Sequence, residues 1–191
     1  ELNEIGRWES LIDPEIPITV GAQNVHGISS EMVADSPTME EFVTLSLGGG
    51  LQGDICLIGH NTKFDRPMLS SVGNITQEFC TLKLSRLLVH DSGSHKLQTL
   101  REHFGIEENK AHSAMGDVLV TLEVLRKLLV ISGKSLADHI SGPSGKFTIM
   151  PFGKYRGYPI TNLPVWYLNH MLTLDIDADI REALTLARGS K

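Results

Sequence analysis

Cysteine is scarce in this chain, and long apolar runs are missing from it. Its 191 residues include two cysteines, Cys56 and Cys80, which are too few for a disulfide framework or a zinc site. We expect both to be buried thiols. No stretch approaches the roughly 18 apolar residues of a membrane span, and no charged and apolar leader opens the chain. These absences predict a soluble, cytoplasmic protein that has no membrane partner.

The charge is acidic overall, but it differs between two parts of the chain. The net charge is -6, with 11 basic and 19 acidic residues in 1–142 but 6 basic and 4 acidic residues in 143–191. An acidic metal site followed by a basic segment that contacts nucleic acid would produce this asymmetry. Ordinary surface variation would produce it equally well.

Apolar periodicity predicts an α/β domain over residues 1–140. The hydrophobic content of 41% is enough for a real core. Two strands are predicted: one at Arg7–Ile12, where polar and apolar residues alternate, and a fully buried one at Ile55–Gly59. Helices are predicted at 29–33, 38–47, 82–88, 97–104 and around Val118, Leu122, Leu125 and Leu129. Interleaved strands and helices indicate a mixed sheet flanked by helices.

A smaller second domain is predicted at residues 146–191. The glycine- and serine-rich stretch 141–146 is the best linker in the chain. It precedes a strand-like piece at 147–152, a glycine-rich turn at 153–159, and helices at 165–172 and 178–187. This composition predicts a small α+β module.

A group of polar residues follows the predicted buried strand. His60 and Asn61 come directly after it, and Asp65 follows four residues after Asn61. Because Pro67 cannot lie deep inside a helix, a helix must begin close to Asp65. Asp65 is therefore either a helix N-cap or a site carboxylate at the edge of the sheet.

A second candidate pair lies five residues apart, at His112 and Asp117. On one continuous helix this spacing is about 140° of rotation, which would not bring both side chains to one face. His112 is therefore predicted to precede the helix, and Asp117 to lie in its first turn. A carboxylate there can hold a cation while the imidazole serves as a general base. The alternative is an Asp stabilised by the helix dipole beside an exposed His.

Together these stretches resemble the second and third motifs of the DnaQ-like (DEDDh) family of 3'→5' exonucleases, which includes the proofreading subunit of bacterial DNA polymerase III. The resemblance covers residues 7–132 in order and spacing. The matching pieces are Gly59-His60-Asn61 with Phe64-Asp65, then His112 with Asp117, supported by residues 8–15, 25–28 and 80–82. It implies an RNase H-like fold.

The end of the chain resembles the small C-terminal domain of the exonuclease X-like members of this family. The resemblance rests on residues 150–157 and on Ile160, Leu163 and 166–168. Lys154 and Arg156 flank Tyr155 on the glycine-rich turn, so they are candidates to contact phosphates while the ring stacks on a base. The alternative is that Tyr155, Tyr158 and Trp166 form the core of the module.

The resemblance implies catalysis with two divalent ions, Mg²⁺ or Mn²⁺, held by carboxylates. Asp65 and Asp117 correspond to two of the four acids, and His112 to the base that removes a proton from the attacking water. His26 and Phe64 fall in stretches that lie near the terminal nucleotide in the family, and Asn61 adjoins them. A core or turn role is the alternative for His26.

The other two acids of the family form an Asp-x-Glu on its first strand, and no residues here match that motif. The chain begins in the turn before the third strand of the family, so we expect a sheet that lacks its first strands. Asp13-Pro14-Glu15 has the spacing but aligns with a later loop. We expect that about thirty or more residues precede this chain in the functional protein. The strand at Ile55–Ile58 would then have lost a neighbour.

The leading prediction is a 3'→5' exonuclease that hydrolyses DNA from the 3' end to nucleoside monophosphates, with single-stranded DNA or DNA 3' ends as substrates and a DNA polymerase subunit as a candidate partner. One alternative is a catalytically inactive nucleic-acid-binding or polymerase accessory protein of the same fold. Another is a nuclease that trims RNA.

Overall fold

The computed structural model of the chain describes residues 2–48, 51–69, 72–107, 113–141 and 147–191. The predicted linker, apart from Ser141, lies outside these residues. The elements within the described ranges are helices α1 Val20–His26, α2 Ser30–Val33 and α3 Met39–Leu47; strand β1 Leu51–Gly59; helix α4 Asp65–Met68; strand β2 Gly73–Cys80; helices α5 Thr81–Leu88, α6 Leu97–His103, α7 Ala114–Ser132 and α8 Leu136–Ser141; a 3-10 helix Ile160–Asn162; and helices α9 Val165–Leu172 and α10 Ala178–Gly189. None of the described helices is long and apolar enough to cross a lipid bilayer.

The chain divides into two compact units. Unit 1 comprises Glu1–Phe79 and Glu108–Leu119, and unit 2 comprises Cys80–Glu107 and Val120–Lys191. Helix α7 therefore contributes its first turns to unit 1 and the rest to unit 2. The sequence-based division at residues 140 and 146 differs from this grouping, because α5, α6 and most of α7 group with the C-terminal residues.

The first helices of unit 1 begin at side-chain caps. The Ser29 hydroxyl accepts a hydrogen bond from the Met32 N–H, at 3.3 Å. Thr38 and Glu41 form a reciprocal capping box at the start of α3, which satisfies backbone N–H groups that have no partner within the helix. These caps explain why the two helices predicted at 29–33 and 38–47 form where the sequence places them.

The sheet of unit 1 is small. Strands β1 and β2 are hydrogen-bonded neighbours and form the described sheet. The prediction of a fully buried strand at Ile55–Gly59 is wrong in its burial, because Ile55–Ile58 are only half-buried. Cys56 and Cys80 are likewise half-buried free thiols, and burial raises the pKa of Cys56. In the described sheet β1 has one neighbour, and one pairing covers a strand incompletely.

The strand predicted at Arg7–Ile12 does not form. Backbone pairing begins at Asp13, which makes a parallel bridge with Thr38 and donates its N–H to the Pro37 carbonyl at 2.9 Å. Trp8 and Leu11 are exposed. Alternating polarity predicts a strand only where another strand can pair with it, and no described strand pairs with this segment.

Helix α7 confirms the longest predicted helix, but its buried face differs from the predicted one. Val120, Val124, Leu125 and Leu128 are its buried apolar side chains, whereas Val118 is 61% exposed. The spacing of four, one and three is also helical. Because the helix is apolar on more than one side, periodicity alone did not determine which side is buried.

The C-terminal residues pack around a core of their own. Helix α10 contacts both α9 and the 3-10 helix. The strand-like piece at 147–152 is reduced to a bridge between Ile149 and Pro159. The buried side chains of this core are Phe147, Met150, Ile160, Leu163, Tyr167, Leu168, Met171, Ile180, Leu184 and Ala187. Residues 147–191 are called the C-terminal module below.

Candidate active site

The chain turns sharply where β1 ends. Asn61 has a φ of +76°, a left-handed conformation that Asn tolerates better than most residues. The Phe64 N–H donates to the Asn61 carbonyl at 3.2 Å, and the Asp65 N–H donates to the Thr62 carbonyl at 3.1 Å. These bonds bring Asn61, Phe64 and Asp65 together in one turn, which is called the 61–65 turn below.

A partly buried polar contact joins this turn to β2. Thr62 is 1% exposed, and its hydroxyl donates to a carboxylate oxygen of Glu78. The other Glu78 oxygen accepts from Arg66 Nη1 at 3.1 Å. The sequence analysis did not identify Thr62 or Glu78, because sixteen residues separate them and no local pattern links them. Their contact positions the turn against the sheet.

Asp65 begins helix α4 as its first helical residue. Phe64 occupies the N-cap position and makes no side-chain capping bond, so the N-cap alternative for Asp65 is wrong. The Asp65 side chain is exposed, and its Oδ2 atom would lie 3.5 Å from a Cβ on Gly59. The carboxylate therefore lies beside the end of β1, as the sequence predicts for a site residue.

Gly59 is required by this arrangement. A Cβ at this position would lie 2.8 Å from Cγ2 of Thr62, which is closer than real side chains approach each other. Because Thr62 is fixed by its bond to Glu78, it cannot move away without losing that bond. Glycine thus lets the 61–65 turn fold back onto the strand end.

Phe64 points away from the core of unit 1. Its side chain is 65% exposed, and the Lys63 ammonium lies 5.6 Å from the ring centroid. Single exposed apolar side chains are common on protein surfaces, so the exposure of Phe64 alone does not mark a site. An exposed ring beside a cation suits contact with a nucleotide.

Asp117 lies in the first turn of α7, as predicted. It is half-buried, its N–H donates to the Ser113 carbonyl at 3.0 Å, and the N–H of the buried Gly116 donates to the Ser113 hydroxyl at 3.0 Å. Asp65 and Asp117 both belong to unit 1. His112, the predicted base, lies outside the described residues.

The described part of the chain does not assemble a complete metal centre. Within it, no three His, Cys, Asp or Glu side chains group closely enough to hold a metal ion. Asp65 and Asp117 supply the oxygen donors that Mg²⁺ and Mn²⁺ prefer, so they fit a metal in donor type. Two carboxylates alone are too few ligands to complete such a metal site.

His26 closes the C-terminal end of α1. Its Nδ1 accepts a hydrogen bond from the Ile28 N–H at 3.0 Å, which corresponds to the turn role that the sequence left open. The ring also borders an apolar cavity of about 480 Å³, whose other lining residues lie between Ser10 and Val33. The imidazole therefore adds a polar group to the edge of a mostly apolar cavity.

The three residues predicted on the glycine-rich turn of the C-terminal module have different surroundings. Lys154 is exposed. Tyr155 is half-buried and packs against the module core. The Arg156 guanidinium donates to the backbone carbonyls of Ser92 and Gly93, so its donors are engaged within unit 2. Their predicted contact with nucleic acid stays a prediction.

Comparison with known proteins identifies the class of this chain. A family model described as "Exonuclease" (RNase_T) matches residues 1–125, so the chain belongs to this exonuclease family. A second model, described as "Putative quorum-sensing-regulated virulence factor", matches residues 146–174. Exonucleases of this family generally use divalent metals.

Three curated proteins are similar in sequence to this chain. The chain is 33% identical over 131 residues to the PolC-type DNA polymerase III of Caldanaerobacter subterraneus subsp. tengcongensis, covering 65% of this chain but 9% of that protein. It is 29% identical over 163 residues to exodeoxyribonuclease 10 of Escherichia coli K12, covering 80% and 69%. It is 27% identical over 133 residues to the DNA polymerase III subunit epsilon of Aquifex aeolicus, covering 64% and 63%.

A solved structure shares the fold. Exonuclease X in complex with 5' overhanging duplex DNA matches with a TM-score of 0.54 and 25% identity, over 66% of this chain and 75% of that chain. The predicted DnaQ-like resemblance and the RNase H-like α/β fold class are thereby confirmed. The chain spans less than a tenth of the PolC-type polymerase that it matches.

Proposed function

We propose that this chain is the core of a 3'→5' exonuclease that hydrolyses DNA from its 3' end and releases nucleoside monophosphates. The observation that carries the proposal is the position of Asp65, which the 61–65 turn holds beside the end of β1. The similarity to exodeoxyribonuclease 10 supports DNA as the substrate. The cytoplasm is the proposed location.

Asp65 and Asp117 act in this proposal as two carboxylate ligands of Mg²⁺ or Mn²⁺. Bound divalent ions lower the pKa of a water molecule and stabilise the charge that develops on the reacting phosphate. Because no three His, Cys, Asp or Glu side chains among the described residues group closely enough to hold a metal ion, the site needs further donors. His112 is the proposed general base, since an imidazole accepts a proton readily near neutral pH.

The remaining unit 1 residues act on the DNA strand. Phe64 offers an exposed ring for the terminal base, and Asn61 lies at the start of the same turn. His26 borders the apolar cavity, where a base or sugar fits better than a phosphate does. Together these three residues would hold the 3' end near the carboxylates.

A second candidate function is binding without hydrolysis, as in a polymerase accessory protein. The absence of a three-ligand cluster among the described residues favours it, and so does the similarity to DNA polymerase III subunits. Under this proposal Asp65 and Asp117 would contribute little, and unit 1 would recognise DNA through the 61–65 turn.

The deciding experiment measures mononucleotide release from 3'-labelled single-stranded DNA with Mg²⁺ or Mn²⁺. We expect release by the chain and its loss in Asp117→Ala and His112→Ala, because these variants remove a ligand and the base. Asp54→Ala is the matched control, since Asp54 is an exposed acid of β1 with no assigned role. DNA binding without release in any form would support the second candidate, and faster release from RNA would overturn DNA as the substrate.

A further inference from the structure

The C-terminal module carries an exposed pair of aromatic rings next to a cation. Trp166 is 56% exposed and Tyr158 is 58% exposed, although both occur in a module with a dense core. The Lys154 ammonium lies 5.5 Å from the Trp166 ring centroid and 5.7 Å from that of Tyr155. Lys154, Tyr158 and Trp166 are called the Lys154 surface.

The loop that carries Lys154 is held in one conformation. The Gly157 N–H donates to the Met150 carbonyl at 2.9 Å, and the Met150 N–H donates to the Tyr158 carbonyl at 2.8 Å. Gly153 has a φ of +77° and lies so close to Tyr167 that a Cβ would be 2.5 Å from its hydroxyl. The loop is therefore pre-organised, which lowers the entropy cost of binding a ligand there.

Tyr155 and Arg156 make internal contacts that support the exposed residues of the Lys154 surface. The Tyr155 ring makes edge contacts with Tyr158, Trp166 and Tyr167, at centroid distances of 5.8, 6.3 and 4.7 Å. Tyr155 therefore orients the two outer rings by contacting both of them. This role differs from the base contact that the sequence analysis predicted for Tyr155. Arg156 fixes the loop through the Ser92 and Gly93 carbonyls.

The Lys154 surface carries a positive charge that takes part in no described ion pair. No described carboxylate lies within ion-pair distance of Lys154. Asp177, an acid of the same module, pairs with Lys83 at 3.5 Å and with Arg86 at 3.1 Å. An exposed ammonium beside exposed rings is complementary to an anionic backbone that presents flat bases.

We propose that the Lys154 surface binds unpaired nucleotides, with a base stacked on Trp166 and a phosphate on Lys154. This surface, in unit 2, is a second binding site for the strand that unit 1 digests. The choice of a nucleic-acid ligand rests on the proposed function. Trp166 replaces Tyr155 as the stacking residue, and Arg156 is structural.

The test uses Trp166 as its own reporter. The chain has two tryptophans, so Trp8→Phe leaves Trp166 as the single indole. Titration of this variant with oligo(dT) in EDTA should quench Trp166 emission, because a stacked base quenches an indole directly. An abasic oligonucleotide of equal length should leave the emission unchanged, because it supplies phosphates without bases.

Two matched pairs of variants, in the same full chain, separate stacking from charge. Trp166→Leu should raise the Kd for oligo(dT) about tenfold, and Trp166→Phe should restore part of the affinity, because a phenyl ring still stacks. Lys154→Gln should reduce the slope of log Kd against log salt by about 0.7, the contribution of one phosphate contact to a single strand. Arg188→Gln removes an equal charge from the exposed end of α10 and should leave the slope unchanged.

Fluorescence anisotropy of labelled oligo(dT) measures DNA binding without relying on Trp166. It therefore distinguishes failure of this proposal from failure of the proposed function. Binding by anisotropy with unchanged Trp166 emission and unchanged affinity of Trp166→Leu would overturn the Lys154 surface and leave the exonuclease intact. Normal Trp166 quenching in a chain that releases no mononucleotides would support the surface while overturning the exonuclease.

Discussion

The two units of this molecule differ in what holds them together. The buried hydrophobic residues described in unit 1 are Val33, Val43 and Phe79, whereas in the C-terminal module alone five side chains have no exposure at all, among them Leu163, Leu168 and Leu184. Unit 1 instead exposes large apolar side chains and fixes its candidate site through polar contacts. Apolar packing therefore holds the C-terminal module together, whereas polar contacts hold the candidate site of unit 1 in place.

The consequence is a division between stability and activity. In the C-terminal module, loss of a core side chain opens a cavity that its neighbours cannot fill. In unit 1, loss of the Asp65 carboxylate removes an exposed group that contributes little to the stability of the fold. Substitutions in the two regions should therefore act on different measurements.

The largest expected effect is on activity, from Asp65→Asn. We expect mononucleotide release to fall more than a hundredfold, since even outer partners of a metal site typically cost about 10- to 100-fold. The melting temperature should change little, because the Asp65 side chain is exposed. Asp54→Asn is the control, and equal loss of activity in both variants would contradict a specific role for Asp65.

The second effect is on stability, from Leu168→Ala. Leu168 is fully buried between the helices of the module, so we expect the free energy of unfolding to drop by about 2–5 kcal/mol. Denaturant titration measures this change. Leu186→Ala is the control on α10, because Leu186 is 56% exposed; an equal loss from both variants would refute a core-dependent module.

A smaller effect on both measurements is expected from Thr62→Val, which keeps the shape and removes the hydroxyl. Without its donor, a Glu78 oxygen loses a partly buried hydrogen bond, at a cost of about 0.5–1.5 kcal/mol. Activity should fall as well, because the 61–65 turn loses its link to β2. Thr62→Ser keeps the hydroxyl and should retain most activity; if it behaves as Thr62→Val does, the bond is not what positions the turn.

The smallest effect is a pH dependence in unit 2. Burial lowers the pKa of His139, helped by Lys134 and opposed by Asp138, and the imidazole lies 2.9 Å from the Ser132 hydroxyl. The folded state therefore binds this proton less readily than the unfolded state, so stability should decrease as pH falls through about 6.5. Melting temperatures from pH 7.5 to 5.5 measure it, and His139→Gln should flatten this part of the profile.

The sequence predicted most helices of this chain because their signals are local, but it missed α1 and α8. Ser29, Thr38 and Pro164 mark helix starts at the positions where the structure has them. Burial was harder to predict, since it depends on which neighbours are present. The strand at Arg7–Ile12 and the full burial of Ile55–Gly59 both assumed partner strands that the described residues do not supply.

The candidate site was predictable in part for the same reason. Asp65 and Asp117 follow recognisable boundaries of a strand and a helix, so spacing along the chain locates them. Thr62 and Glu78 meet only through the fold, and a half-buried Tyr155 cannot be told from an exposed Trp166 by sequence. Long-range contacts carry this information, and no local pattern records them.

The polarity of digestion tests the central claim most directly. Single-stranded DNA labelled at the 3' end and, separately, at the 5' end is incubated with the chain and Mg²⁺ or Mn²⁺. The account predicts immediate appearance of labelled mononucleotide from the 3' label and a ladder of gradually shortening fragments from the 5' label. Intact DNA at both labels, with binding still measurable, would contradict it and leave unit 1 as a DNA-binding fold.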